Sequence, residues 1–169
     1  LALAGFAVIS FNFSHNGTSI HEPMEFTDLD AFGRNNYSIE LFDLKAVCDW
    51  VCNPANPYHQ LLKTEEINLV GHSMGGGISI LFTAEYPRIR KLVTWAAISE
   101  CKTPWTNWTT AQIEQWKSSG VAYYINSRTG QQLPMYYQLY EDYQLNKERL
   151  NIESAIKKIT VPVMLIHGS

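Results

Sequence analysis

The sequence predicts an α/β domain built on a mainly parallel sheet with helices on both faces. Short apolar runs bounded by polar or glycine-containing segments recur at residues 6–11, 67–70, 91–99 and 161–166. The segments that follow the first two carry apolar residues at helical spacing, and a tight glycine turn joins the second run to its helix. Strands that alternate with helices in this way favour parallel pairing.

Phe6, Val8, Ile9 and Phe11 form a nearly continuous apolar run after Gly5, as expected of a strand buried on both faces. A polar loop follows to about Asn36. From Ser38, a candidate N-cap with Glu40 in the first turn, Leu41, Leu44, Val47, Cys48 and Val51 repeat at helical spacing until Pro54. Residues 67–70 predict the next strand, and Gly71 opens a turn into a helix carrying Ile78, Leu81 and Phe82, which Pro87 closes. Residues 91–99 and 161–166 supply two more strands. Residues 101–158 break the rhythm and read as an insertion. Thr109 with Gln112 caps a helix ending at Gly120, and residues 121–126 read as a strand. Nine of the 21 aromatic residues fall between Cys101 and Tyr143, a density that suits a lid over a pocket or a small core of its own.

With 169 residues, 46% of them apolar, the chain can bury one core. The net charge of −3 and singly scattered Lys and Arg exclude a phosphate-backbone footprint, so no nucleic-acid partner is expected. Cys48, Cys52 and Cys101 are too few for a disulfide framework. Cys48 and Cys52 lie four apart without a second ligand pair and read as small core residues, so no metal is expected. The apolar start lacks a basic flank and is too short to span a membrane. The acidic balance and the lack of a targeting signal favour the cytoplasm, with a signal peptide upstream of Leu1 as the alternative. Oligomeric state is not legible.

Gly71-His72-Ser73-Met74-Gly75 matches G-x-S-x-G between a strand and a helix. In such an elbow the serine backbone is strained and the flanking residues approach closely, which requires glycine at 71 and 75. Gly75, Gly76 and Gly77 open a helix at a propensity cost of up to about 1 kcal/mol each relative to alanine, which close backbone approach explains. A phosphate loop is excluded by the lack of a following Gly-Lys-Ser/Thr or a G-x-G-x-x-G. Ser73 is thus the candidate nucleophile for acyl transfer, with the Met74 amide as oxyanion donor at a helix N-terminus.

From Phe6 to Gly168 the chain resembles the α/β-hydrolase family, near its dienelactone hydrolase, serine aminopeptidase and cinnamoyl esterase-like branches. Residues 12–19 resemble that family's D-x-R-G-x-G-x-S loop, with Asn12, Ser14 and His15 departing from it. The resemblance implies a partial α/β-hydrolase fold: a core at 1–100 with the nucleophile elbow, an aromatic-rich cap at 101–158, and a core strand at 159–169 leading toward the catalytic acid. It places the nucleophile at Ser73 and the first oxyanion donor at Met74. It also places the catalytic Asp and His beyond Ser169 and the second oxyanion donor upstream of Leu1, so that the 169 residues alone are expected to be inactive.

Among internal histidines, His72 adjoins the nucleophile and His167 belongs to a strand end, while His15, His21 and His59 lie in loops. His15 follows a strand end and is a candidate for the substrate side, as are Trp105 and Trp108 in the insertion. Asp28, Asp30 and Asp43 read as capping or solvated residues. The activity expected is hydrolysis of a small-molecule ester or related acyl substrate through an acyl-enzyme on Ser73, without cofactor. The alternatives are a peptidase or amidase on the same fold, or a non-catalytic binding protein of that fold.

Overall fold

The computed structural model describes residues 1–23 and 25–168. Helix α1 (Leu29–Gly33) is capped by Asp28, whose side chain accepts from the Ala31 amide at 2.9 Å. Helix α2 (Tyr37–Cys52) starts two residues before the expected Ser38: Asn36 is the cap, its Oδ1 accepting from the Ile39 amide at 2.8 Å. An asparagine one turn ahead of the apolar stripe competes as well as serine for that role. Strand β1 (Ile67–His72) runs into helix α3 (Met74–Glu85), and strand β2 (Ile89–Trp95) follows. Residues 101–158 hold α4 (Thr110–Ser119), an antiparallel hairpin of β3 (Val121–Ile125) and β4 (Gln132–Tyr136), α5 (Gln138–Leu145) and α6 (Ile152–Ile156). Strand β5 (Val163–Ile166) returns to the sheet, whose order is β1-β2-β5, all parallel.

Helix α3 is buried on every side from Gly76 through Thr83, as an apolar helix without a polar face must be. It packs against β1, β2, α2 and α6. The helices thus cover one face of the sheet, and on the other Val70 and Trp95 are exposed among the described residues. Residues 6–11 form no strand. They join neither sheet, and Phe6, Val8 and Ile9 stay exposed, because an apolar run makes a strand only against a sheet edge that accepts its amides. Strand β2 begins two residues earlier than expected and stops at Trp95, where Ala96 takes φ 47° and ends the extended backbone.

In the insertion, Thr109 and Gln112 form the full reciprocal capping box, and Gly120 at φ 74° ends α4. Trp116 is 1% exposed, donates its indole N–H to the Met135 carbonyl at 2.8 Å, and meets Trp105, Trp108, Tyr137 and Tyr140. These rings share one core with Tyr37, Leu41 and Ile78 of the body. Polar bonds fasten the same seam. Gln138 Nε2 donates to the Asn35 carbonyl at 2.9 Å, Asn36 Nδ2 donates to Gln138 Oε1 at 2.7 Å, and the Ser38 amide donates to Asp142 at 3.3 Å. No helix among the described residues is long and apolar enough to cross a membrane.

Candidate active site

Ser73 sits between the carboxyl end of β1 and the first turn of α3 with φ 53° and ψ −120°. An L-residue is held there only when its surroundings over-determine it, at a cost of about 1–3 kcal/mol. The surroundings are backbone. The Ser73 amide donates to the Trp95 carbonyl at 2.9 Å, and the Ser73 carbonyl accepts from Gly76 at 3.0 Å and from Ile98 at 3.2 Å. The end of β2, the segment after it and the first turn of α3 therefore hold the serine through its backbone. The Met74 amide, at the first helical position, has no acceptor within its helix, and the Ser73 side chain is exposed.

A β-carbon on Gly71 would collide with the Gly75 carbonyl and lie 2.6 Å from Ser79 Oγ and 2.7 Å from Gly76 Cα. One on Gly76 would lie 2.7 Å from the Ala97 side chain, and one on Gly77 2.6 Å from Ile98. Glycine at 75 is a different case. The expected clash is absent, since a β-carbon there meets no described atom within 4 Å, and the close partner of Gly71 is the Gly75 backbone. The steric demand falls on 71, 76 and 77.

The other anticipated residues scatter. His72 is exposed, its ring edge-on to Trp95 at 5.5 Å. His15 is half-buried and bonded to Ser14 Oγ at 2.7 Å, within a loop fixed by Asp43, which accepts from the Ser14 amide at 2.7 Å. Asp28 caps α1, and Asp30 pairs with Arg34 at 2.8 Å and accepts from Tyr136 at 2.9 Å. Trp105 is 5% exposed and is a core residue, its ring against Tyr37, Trp116, Tyr140 and Tyr143. Trp108 packs edge-on against Trp116. Cys48 and Cys101 are buried free thiols, pushed up to about 11 and about 12 by burial.

A cavity of about 250 Å³ opens beside Met74, between the start of α2 and the insertion. Phe32, Tyr124, Met135 and Leu139 give it apolar walls, and Asn35 and Glu40 also line it. Glu40 is 4% exposed. Its Oε1 accepts from Asn35 Nδ2 at 2.7 Å, and its Oε2 has no partner among the described residues. Burial raises its pKa to about 7, with Asp43 adding to the rise and the Asn35 bond opposing it. An acid in the first helical turn usually faces solvent and complements the dipole. The overlooked signal is its place three residues after Tyr37 and four before Leu44, on the buried stripe of α2.

A raised carboxyl is protonated in both folded and unfolded chains below its unfolded value of 4.5 and is disfavoured in its charged form once the folded value is passed. Stability present at pH 4.5 is therefore lost as pH rises through about 7. Urea unfolding of wild type and Glu40→Gln should show the wild type losing about 3 kcal/mol relative to the variant between pH 4.5 and pH 8. Parallel pH profiles for the two proteins would contradict it.

The alpha/beta hydrolase fold model matches residues 1–120, and the chain belongs to that family. Among solved structures, a hydrolase from Agrobacterium vitis S4, described as putative, matches with a TM-score of 0.55 at 17% identity, over 82% of this chain and 62% of its own. The esterase domain of a Rhodothermus marinus protein matches with a TM-score of 0.44 at 19% identity, over 80% of this chain and 48% of its own. A hypothetical protein from Pseudomonas aeruginosa matches with a TM-score of 0.49 at 17% identity, over 80% and 53%. The chain thus spans about half to three-fifths of the length of these structures. No curated protein matches it.

Proposed function

We propose that the protein is a serine hydrolase acting on esters or related small acyl substrates, with Ser73 as nucleophile and the Met74 amide as one oxyanion donor. The observation that carries this reading is the strained, backbone-gripped Ser73 at the head of α3 with a free helix-end amide beside it. Such a turn presents a hydroxyl outward and places donors where a tetrahedral intermediate gathers charge. Ser73 attacks the carbonyl carbon, its proton passing to a histidine base. The alcohol leaves with that proton, and water then releases the acid from the acyl-enzyme. His15, whose Nδ1 is bonded to Ser14 Oγ, is retained on the substrate side rather than as the base.

A fluorophosphonate probe tests the nucleophile directly. Peptide mapping of the intact labelled protein should find one adduct, on Ser73, formed at least about 100-fold faster than on any other serine, because only a base-activated hydroxyl attacks phosphorus rapidly. An unlabelled Ser73 would favour a non-catalytic member of the fold.

A further inference from the structure

Buried polar atoms are nearly always paired, yet three within residues 35–40, the opening of α2 and its approach, have no partner among the described residues: Asn35 Oδ1, Ser38 Oγ and Glu40 Oε2. Two of these belong to side chains that line the cavity beside Met74. Once Glu40 is ionised, above about pH 7, both are acceptors, since its carboxylate and the Asn35 carbonyl oxygen then have lone pairs and no proton to give. The titratable groups acting on Glu40 are Asp43 and Tyr37 on its own helix and Cys101 ahead of α4, none of them a cation. The remaining walls are largely apolar. The described residues supply no donor for these oxygens, and an occupant of the cavity is placed to do so.

We propose that this cavity is the selectivity pocket of the substrate and takes an apolar group ending in a hydrogen-bond donor, an alcohol or an amine, held by Glu40 Oε2 and Asn35 Oδ1. The assignment to substrate rests on Ser73 as the nucleophile, because Met74 joins the pocket wall to the elbow. A site built to accept a hydrogen bond rejects an analogue lacking the donor, whose binding strands the buried acceptors.

The test uses three probes of one shape, 4-phenylbutan-1-ol, 4-phenylbutylamine and 4-phenylbutyl methyl ether, titrated calorimetrically into the intact protein. The alcohol, the amine or both should bind about tenfold or more tighter than the ether. The ligand series alone decides this, whatever any variant does to folding. Equal binding of all three would overturn the proposal and leave Glu40 a carboxyl satisfied by water. Glu40→Leu should erase the preference, and its survival in that variant would also overturn the assignment. Glu40→Gln keeps an acceptor and removes the charge, so a preference for the alcohol should persist and one for the amine should fall about tenfold. Bound alcohol or amine should slow phosphonate labelling of Ser73, and tight binding that leaves labelling unchanged would separate the cavity from the substrate path. Calorimetry does not require Ser73 to react, so failure of the nucleophile reading is seen in labelling of the free protein, apart from the fate of the pocket.

Discussion

Ser73→Ala in the intact protein should lower kcat for an activated nitrophenyl ester by about 10⁴-fold or more, with KM changed only a few-fold. As the proposed nucleophile, the hydroxyl would act in the chemical step and contribute little to ground-state binding, so its loss should appear in kcat and kcat/KM alike. The residual rate reflects the oxyanion donors, which a serine side chain does not supply. Alanine also keeps the backbone bonds of residue 73 to Trp95 and Ile98, so the variant should unfold within about 1 kcal/mol of wild type. Steady-state kinetics with several acyl chain lengths makes the measurement. A fall of tenfold or less, with the fold intact, would remove Ser73 from the mechanism.

The second large effect is structural. Gly71→Ala should destabilise the protein by about 3 kcal/mol or more, because the new methyl meets the Gly75 carbonyl, Ser79 Oγ and the Gly76 backbone at distances no real β-carbon tolerates. Ser79 cannot simply turn aside, since its hydroxyl is bonded to the Gly75 carbonyl at 2.7 Å. Relief requires α3 to move off β1, carrying the elbow with it, and activity should fall with stability. Gly75→Ala is the control within the same motif. Its β-carbon meets nothing, and alanine favours the helix, so stability should hold or rise by up to about 1 kcal/mol. Chemical denaturation of the two variants separates packing from propensity, and equal losses would refute the distinction.

Where local chemistry decides structure, the sequence was readable. Thr109 and Gln112 announce α4, Gly120 its end, and the glycines after Ser73 the head of α3. Apolar content alone misleads at residues 6–11, because strand formation needs a neighbouring edge that no local pattern reports. Strand β4 escapes notice since Gln132 and Pro134 break the alternation, and hydrogen bonds to β3 together with burial of Leu133 and Met135 override propensity. The site divides in the same way. The strained turn at Ser73 was legible because its motif is contiguous. The cavity was not, because its walls come from α1, α2, the elbow and three parts of the insertion, and only folding brings Tyr124 and Met135 to Glu40.

The grip on residue 73 consists of backbone groups from the end of β2, the segment after it and the first turn of α3, whereas the cavity consists of side chains borrowed from elsewhere. On the proposed reading, chemistry and recognition are thus specified by different atoms. A lineage can exchange Phe32, Tyr124 or Leu139 for other residues and change what enters, while the reactive geometry is inherited unchanged. Drift in the walls costs selectivity first and turnover last, so new preferences can arise from single substitutions without passing through an inert ancestor.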